Sequence, residues 1–356
     1  MLTRRFFLHA AALGSAAFAS RLRAEVFAPQ QGAWRRFAMT TRLDLPEGKA
    51  AQAWIPTPSL ARDAWMKPLD TRWTSNASTA AIETDPRNGA RALHLVWRGD
   101  EGAPFVEATS EAMTRDRSGD AAENLSNDQK RAWLAPTRLI PTDGIVRETA
   151  DKIIGAAKSD EAKARALYEW VVENTWRRAS TRGCGVGDIV AMLKSGDLGG
   201  KCADINALYV GLARASGLPA RDLYGIRVAP SRFGYKSLGA NSETITKAQH
   251  CRAEVHLEGR GWVAVDPADV RKVVLEEPGP VALGDPKAVA ARHALFGASE
   301  GNWIAYNDAH DVVLAGAAQP QIDFLMYPQA EVAGVRLDCL DPDSFRYGIK
   351  TKEIAI

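Results

Sequence analysis

A cysteine at a predicted helix start is the first feature of the sequence that could do chemistry. Cys202 follows Gly199 and Gly200, and apolar residues then recur at helical spacing until Gly217-Leu-Pro219. This pattern predicts a helix that begins at Cys202. The helix dipole and the unpaired amides at a helix N-terminus favour a thiolate over a thiol. A buried, inert cysteine fits the same position, so the interpretation also needs a base.

A predicted β-hairpin downstream provides that base. Between Gln249 and Asp266, two alternating segments flank a turn at 257–261. A turn centred on Glu258 places His250 opposite Asp266, about one cross-strand contact away. A carboxylate fixes the tautomer and direction of an imidazole. We therefore expect His250 to act as the base and Asp266 to orient it.

The other histidines are predicted to be structural or solvated. The same hairpin register places His256 opposite Arg260 at the tip, roughly 20 Å along the strand from the carboxylate. His94 lies in a predicted strand, His293 in an alanine-rich helical stretch and His310 in a loop-like segment.

The cysteine and carboxylate patterns predict no metal site and no cofactor. No cysteine pair has C-x-x-C spacing, and no His/Cys cluster has zinc spacing.

If Cys202 stays a free thiol, at most one disulfide can form among Cys184, Cys251 and Cys339. A disulfide-exchange protein would need a resolving cysteine near Cys202, and its sequence neighbours include none. The carboxylates near Cys202 are expected to serve as helix caps or turn residues; they are Asp188, Asp197 and Asp204.

Elements around these residues follow from hydrophobic periodicity. Short alternating runs predict an N-terminal antiparallel β-sandwich over residues 30–125, and a polar stretch at about 114–142 is typical of a linker. Apolar residues at helical spacing then predict two helices that meet at Ser159-Asp160. A further helix is expected near 286–295. The predicted strands lie at 37–45, 50–55 and 90–97, and the two helices lie at about 145–157 and 164–172.

The first residues resemble an export signal. Arg4 and Arg5 precede an apolar run that ends in Ala17-Phe18-Ala19, a small-x-small cleavage site, with Ala24 as a second candidate. The run is too short for a bilayer span, which needs about 20 residues. Paired arginines at this spacing resemble the twin-arginine signal, so residues 1–24 are expected to direct the protein to the periplasm or outside. No stable membrane insertion is expected once the signal is removed. The chain has 356 residues and a net charge of only +2, so nucleic acid is not an expected partner.

Three ordered blocks of the sequence resemble the transglutaminase-like superfamily of papain-like cysteine enzymes. The first contains Gly200-Lys-Cys202 and Gly217-Leu-Pro-Ala-Arg221, with Gly225 four residues later. The second contains His250 and Ala253-Glu-Val255, and the third contains Gly261-Trp262 and Asp266-Pro267. The resemblance gives Cys202, His250 and Asp266 the positions of a catalytic triad. It departs from the family at Arg252, where Trp is frequent, and at Ala268, where Thr is frequent.

The resemblance implies an α+β fold with these domains: the β-sandwich, a transglutaminase-like catalytic domain over 140–275, and a C-terminal extension, 276–356, packed on the catalytic domain. It also implies a cysteine protease or amidase that acts on a peptide or protein substrate through a Cys202 acyl-enzyme. The amide of Cys202 is the expected oxyanion donor. An amine-accepting transglutaminase and a non-catalytic binding module on the same fold are the alternatives. The sequence leaves the oligomeric state open.

Overall fold

The computed structural model describes residues 27–119, 123–279 and 281–356. The export signal predicted for residues 1–24 lies outside these residues. Within the described ranges, no helix is long and apolar enough to cross a membrane. The strands are β1 (Arg35–Asp44), β2 (Ala51–Pro56), β3 (Met66–Ser75), β4 (Thr79–Thr84), β5 (Arg91–Trp97), β6 (Phe105–Thr114), β7 (Arg117–Ser118), β8 (Trp176–Arg177), β9 (Gly199–Gly200), β10 (Ala220–Arg227), β11 (Gln249–Leu257), β12 (Gly261–Val265), β13 (Ala298–Ser299), β14 (Trp303–Asn307), β15 (His310–Val312), β16 (Ile322–Phe324), β17 (Gln329–Val332), β18 (Val335–Arg336) and β19 (Arg346–Ile354). The helices are α1 (Asn127–Leu134), α2 (Gly144–Ile154), α3 (Asp160–Asn174), α4 (Ile189–Ser195), α5 (Cys202–Ala215), α6 (Pro267–Glu276) and α7 (Pro286–Ala294), with a short 3-10 helix at Lys236–Leu238.

Two antiparallel sheets form the N-terminal sandwich. One has the order β19-β1-β6-β3 and the other the order β18-β17-β2-β5-β4. Alternate residues of both sheets, among them Leu43, Val106, Leu93 and Leu95, are fully buried in one shared hydrophobic core. This is the alternation that predicted the sandwich, since side chains on a strand point to opposite faces in turn.

The C-terminal segment divides between the two parts of the molecule. β14 joins the second domain's sheet, whereas β17 pairs with β2 and β19 pairs with β1. The other edge of β19 holds a loop: the amide of Ile245 donates to the carbonyl of Ile349 at 2.8 Å, and the amide of Thr351 donates to that of Glu243 at 2.8 Å. The loop is therefore attached to the sandwich.

The second domain packs helices against a sheet of order β12-β11-β10-β14. Helix α5 is buried along nearly its whole length and lies against β10, β11, α2 and α3. The predicted pair of helices is present, and the hydroxyl of Ser159 caps α3 by accepting from the amide of Ala162. The predicted linker contains more order than expected, because α1 lies within it and begins at a capping box formed by Ser126 and Gln129.

Candidate active site

Cys202 is the first residue of α5, as its sequence context predicts, and only 3% of its surface is exposed. A residue at this position has no amide partner within its own helix. Its amide is thus available to an external acceptor and lies at the positive end of the helix dipole.

Asp204 holds the backbone around this cysteine. One carboxylate oxygen accepts from the amides of Val186 and Gly187, each at 2.9 Å, and the other accepts from the amide of Lys201 at 2.9 Å. A Cβ at Gly200 would lie 2.5 Å from the Asp204 side chain, so only glycine fits there. Asp188 and Asp197 also act as predicted, since each accepts a backbone amide at a helix start or a turn.

His250 and Asp266 form a buried pair. The Nε2 of His250 lies 2.8 Å from Oδ2 of Asp266, and the two residues are 2% and 3% exposed. Because Nε2 is engaged by the carboxylate, Nδ1 is the ring nitrogen that remains for proton exchange. Gly225 pairs with His250 across the sheet, and a Cβ there would clash with the Trp303 ring and the carbonyl of Ile304.

The hairpin register differs from the predicted one. His256 pairs with Trp262 rather than with Arg260, and the ladder ends where Ala253 pairs with Val265. Asp266 is therefore not a strand residue opposite His250. It is the N-cap of α6, where its side chain accepts from the amide of Asp269 at 3.0 Å. The two side chains still meet, because the chain turns back toward β11 as it enters the helix.

A second carboxylate, which the sequence did not single out, lies beside the pair. Oδ1 of Asp269 is 3.4 Å from Nε2 of His250, and Arg227 donates to both Asp269 oxygens at 2.6 and 2.8 Å. Burial and Arg227 oppose protonation of His250, but Asp269 and Asp266 outweigh them and raise the pKa of His250. Burial, followed by repulsion from Asp269, raises the pKa of Asp266. Despite burial, Arg227 and then His250 hold the pKa of Asp269 far below its usual value. The site thus favours an imidazolium over a neutral imidazole.

Two more buried polar residues support the pair. Asn206 lies one turn after Cys202 on α5, and its side chain donates to Oδ1 of Asp266 at 3.2 Å and to the carbonyl of Cys251 at 2.9 Å. Arg252 places Nε 4.0 Å from Oδ2 of Asp266. Sequence reasoning missed the role of Asn206, although an amide four residues after Cys202 on an apolar helix was a usable signal.

The atoms of His250, Asp266 and Asp269 lie close enough together to hold a metal ion, within 4.8 Å of one another. Each of the three side chains already has a protein partner, however. Asp269 is held by Arg227 through both oxygens, and Asp266 accepts from His250, Asn206 and the amide of Asp269. The hydrogen bonds account for this clustering without a metal ligand role.

Cys202 and His250 line one cavity of about 590 Å³ between the second domain and the C-terminal segment. The loop at 239–248 forms one wall, and residues from Tyr327 to Tyr347 form another. Asp266 does not reach the cavity and lies behind His250. A thiol and an imidazole therefore line one cavity, and a carboxylate lies behind the imidazole, at a site large enough for a side chain or a short peptide segment.

All four cysteines are free thiols. Cys184 lines the same cavity, its carbonyl accepts from the amide of Ala203 at 2.9 Å, and its thiol donates to the carbonyl of Gln249 at 3.3 Å. The side-chain interaction with Cys202 lowers the pKa of Cys184. A second thiol is thus near Cys202 in space, although no cysteine is near it in sequence.

The remaining histidines have other surroundings. His94 stacks on Trp54 at 5.2 Å and interacts with Gln52 at 3.1 Å. The ring of His256 lies 5.4 Å from that of Trp262, and His293 is in the last turn of α7. His310 begins β15 rather than lying in a loop, and its Nε2 is 3.2 Å from Asp222.

Comparison with known proteins places the cysteine, histidine and aspartate in a recognised domain. Residues 147–267 match the transglutaminase-like superfamily. An uncharacterised protein from Haemophilus influenzae is 37% identical over 341 residues, which cover 89% of this chain and 91% of that protein.

One solved structure shows the same fold over most of both chains. A candidate cysteine protease from Cytophaga hutchinsonii superposes with a TM-score of 0.50 over 91% of this chain and 99% of its own, at 18% identity. The periplasmic domain of TgpA from Pseudomonas aeruginosa covers 67% of this chain and 89% of its own, with a TM-score of 0.35 and 17% identity. The predicted fold class, an antiparallel sandwich followed by a transglutaminase-like domain, is confirmed.

Proposed function

Because the chain belongs to the same family as the Haemophilus influenzae protein and carries a transglutaminase-like domain, we propose that it is an exported cysteine protease or amidase. The main support for this proposal is the buried pair of His250 and Asp266, in which Nε2 of His250 lies 2.8 Å from Oδ2 of Asp266. His250 also lines the cavity that contains Cys202. A catalytically inactive binding module would have no use for a buried imidazole with two carboxylates at its Nε2.

The proposed reaction begins with the thiolate of Cys202. Its sulfur attacks the carbonyl carbon of a peptide or side-chain amide, and the amide of Cys202 donates to the oxyanion that forms. The C–N bond breaks as His250 delivers its Nδ1 proton to the leaving amine. Water, deprotonated by His250, then cleaves the thioester and releases the acid.

Asp266 and Asp269 contribute by keeping His250 positively charged next to the thiolate. Since they raise the pKa of His250, the imidazolium form of His250 persists to higher pH. Asp266 also fixes the ring direction through the 2.8 Å contact, and Asn206 and the α6 amide hold that carboxylate in place.

The test is alkylation of the folded protein with iodoacetamide at pH 6, followed by peptide mass spectrometry. We expect rapid labelling of Cys202. Cys339 and Cys251 serve as internal controls, because burial raises the pKa of both thiols. Labelling of Cys184 or Cys339 as rapid as that of Cys202 would contradict the proposal. His250→Ala should slow the labelling of Cys202 at pH 6.

The same acyl-enzyme could pass to an amine, which would make the protein a transglutaminase. Incubation of the protein with a labelled amide substrate, with and without a primary amine, separates hydrolysis from transamidation. We expect the free acid to dominate in both, and a dominant amide product would favour transamidation.

For export, replacement of Arg4 and Arg5 by Lys should leave precursor in the cytoplasm, whereas normal export of that variant would reject the twin-arginine route.

A further inference from the structure

Cationic side chains dominate the cavity that contains Cys202. Among the described residues, one carboxylate, that of Glu276, lines it. The cationic lining residues are Arg177, Arg182, Lys201, Arg227, Lys247 and Lys272. The formal charge of the whole chain is only +2, so this concentration is local rather than a consequence of a basic protein.

Three carboxylates neutralise part of this charge. Asp269 pairs with Arg227 through both oxygens, and Asp338 lies 2.6 Å from Arg182. Glu276 is shared, since it contacts Arg177 and lies 3.0 Å from Nζ of Lys272. These three carboxylates engage four of the six lining cations, and the other two form the unpaired surplus among the described residues.

The surplus includes two lysines near the nucleophile. Lys201 directly precedes Cys202, and Lys247 is an exposed residue of the loop at 239–248. Over the ranges that the structure describes, neither has a carboxylate partner within salt-bridge distance. An unneutralised cationic wall beside a nucleophile favours a substrate that brings negative charge.

Resting on the proposed function, we infer that the preferred acyl donor carries a carboxylate close to the amide that Cys202 attacks. Lys201 and Lys247 bind this carboxylate. Another part of the wall consists of Leu340, Pro342 and Phe345, which suits the apolar portion of the same chain. The carboxylate is either an acidic side chain or a free chain terminus, two sources with the same recognition chemistry.

The charge of the cavity is measured with two alkylating agents of nearly equal size, iodoacetate and iodoacetamide. Both place a two-carbon group on the Cys202 thiolate, forming an S–C bond as the C–I bond breaks and iodide leaves, but only iodoacetate is anionic. The rate constant for iodoacetate is divided by that for iodoacetamide, and the quotient for Cys202 is then divided by the same quotient for N-acetylcysteine. This normalised ratio should be about three at physiological salt and larger at low salt. A normalised ratio of one or below would overturn the inference.

Variants assign the effect to the lysines. Lys201→Gln combined with Lys247→Gln should return the normalised ratio to about one. Lys158→Gln removes an exposed lysine outside the cavity and should keep the wild-type ratio. An unchanged ratio in the double variant would refute the assignment. Slow labelling of Cys202 by both agents would reject the proposed function, while the ratio would still report the charge of the cavity.

Three short peptides distinguish the two sources of carboxylate by their protection of Cys202 from iodoacetamide. One is N-acetylated and C-amidated with a central glutamate, the second has glutamine instead, and the third is the glutamine peptide with a free C-terminus. Stronger protection by the first indicates an acidic side chain, and stronger protection by the third indicates a chain terminus. Equal protection by all three would contradict carboxylate recognition.

Discussion

Replacement of Asp266 by Asn tests the proposed role of the buried pair most directly. Asn is isosteric and is as good an N-cap as Asp, so α6 should still begin at Pro267. Its side-chain oxygen can still accept from the amide of Asp269 or from His250. The variant therefore removes the negative charge next to His250, and its NH2 group takes the place of one of the two accepting oxygens.

The size of the effect follows from the geometry. A carboxylate hydrogen-bonded to an imidazolium has its charge about 4 Å away, which at an effective dielectric constant near 20 is worth about 4 kcal/mol. Asp269, at 3.4 Å from the same nitrogen, retains part of this stabilisation, although Arg227 already engages both of its oxygens. We expect a loss of about 3 kcal/mol of transition-state stabilisation, or about 100-fold in kcat/KM.

The pH dependence gives a second, independent readout. In the wild type the two carboxylates raise the pKa of His250 above 6.5, so activity that needs the imidazolium persists to higher pH and is lost as pH rises through that pKa. Without the Asp266 charge, burial and Arg227 oppose protonation more effectively. The alkaline limb of kcat/KM should therefore move to lower pH in the variant.

The assay measures kcat/KM against pH on a peptide substrate, or the rate of Cys202 alkylation against pH where no substrate is available. Asp188→Asn is the matched control, because Asp188 is also an N-cap carboxylate but caps α4 instead. Circular dichroism checks folding. A folded Asp266→Asn protein with the wild-type rate and an unmoved alkaline limb would refute the reasoning.

Three other perturbations test the surroundings. His250→Ala should lower turnover by about 10³-fold, whereas His256→Phe should stay within a few-fold because it lies against Trp262; the reverse ranking would exchange their roles. Arg221 and its neighbours hold the pKa of Glu254 at about 2 despite its burial, so the stabilising effect of this carboxylate is full above pH 4.5 and is lost as pH falls toward 2. Glu254→Gln should therefore lower the free energy of urea unfolding by about 3 kcal/mol at pH 7. An equal loss at pH 2 would contradict this explanation. Gly200→Ala should displace Asp204 and reduce activity by about 100-fold, while Gly284→Ala, which meets open space, should be neutral in the same assay.

Sequence reasoning succeeds where local patterns fix the structure. The start of α5 at Cys202, the junction of two helices at Ser159 and the alternating strands each depend on residues a few positions apart. These signals are local propensities and periodicities, which tertiary packing leaves unchanged here.

The same reasoning misplaces what depends on a turn or on distant partners. The hairpin turn centres on Gly259 rather than on Glu258, so the ladder ends where Ala253 pairs with Val265. Asp266 therefore lies beyond the strand and caps a helix. Asp followed by Pro is a helix-start signal that could have shown this. Asp269 and Arg227 meet from positions 42 residues apart, and only the fold brings them together.

The attachment of β19 has a consequence for the order in which the chain can fold. β1 pairs with β19 from Arg36 and Ile354 to Asp44 and Arg346, so these two strands are partners although they lie far apart in the sequence. Such distant pairing slows folding, because the long intervening loop must close before the contacts form. The same strand carries the 239–248 loop on its other edge. The wall of the cavity beside Cys202 is therefore completed only after β19 has paired with β1, and a chain cut before β19 would leave the 239–248 loop without this attachment.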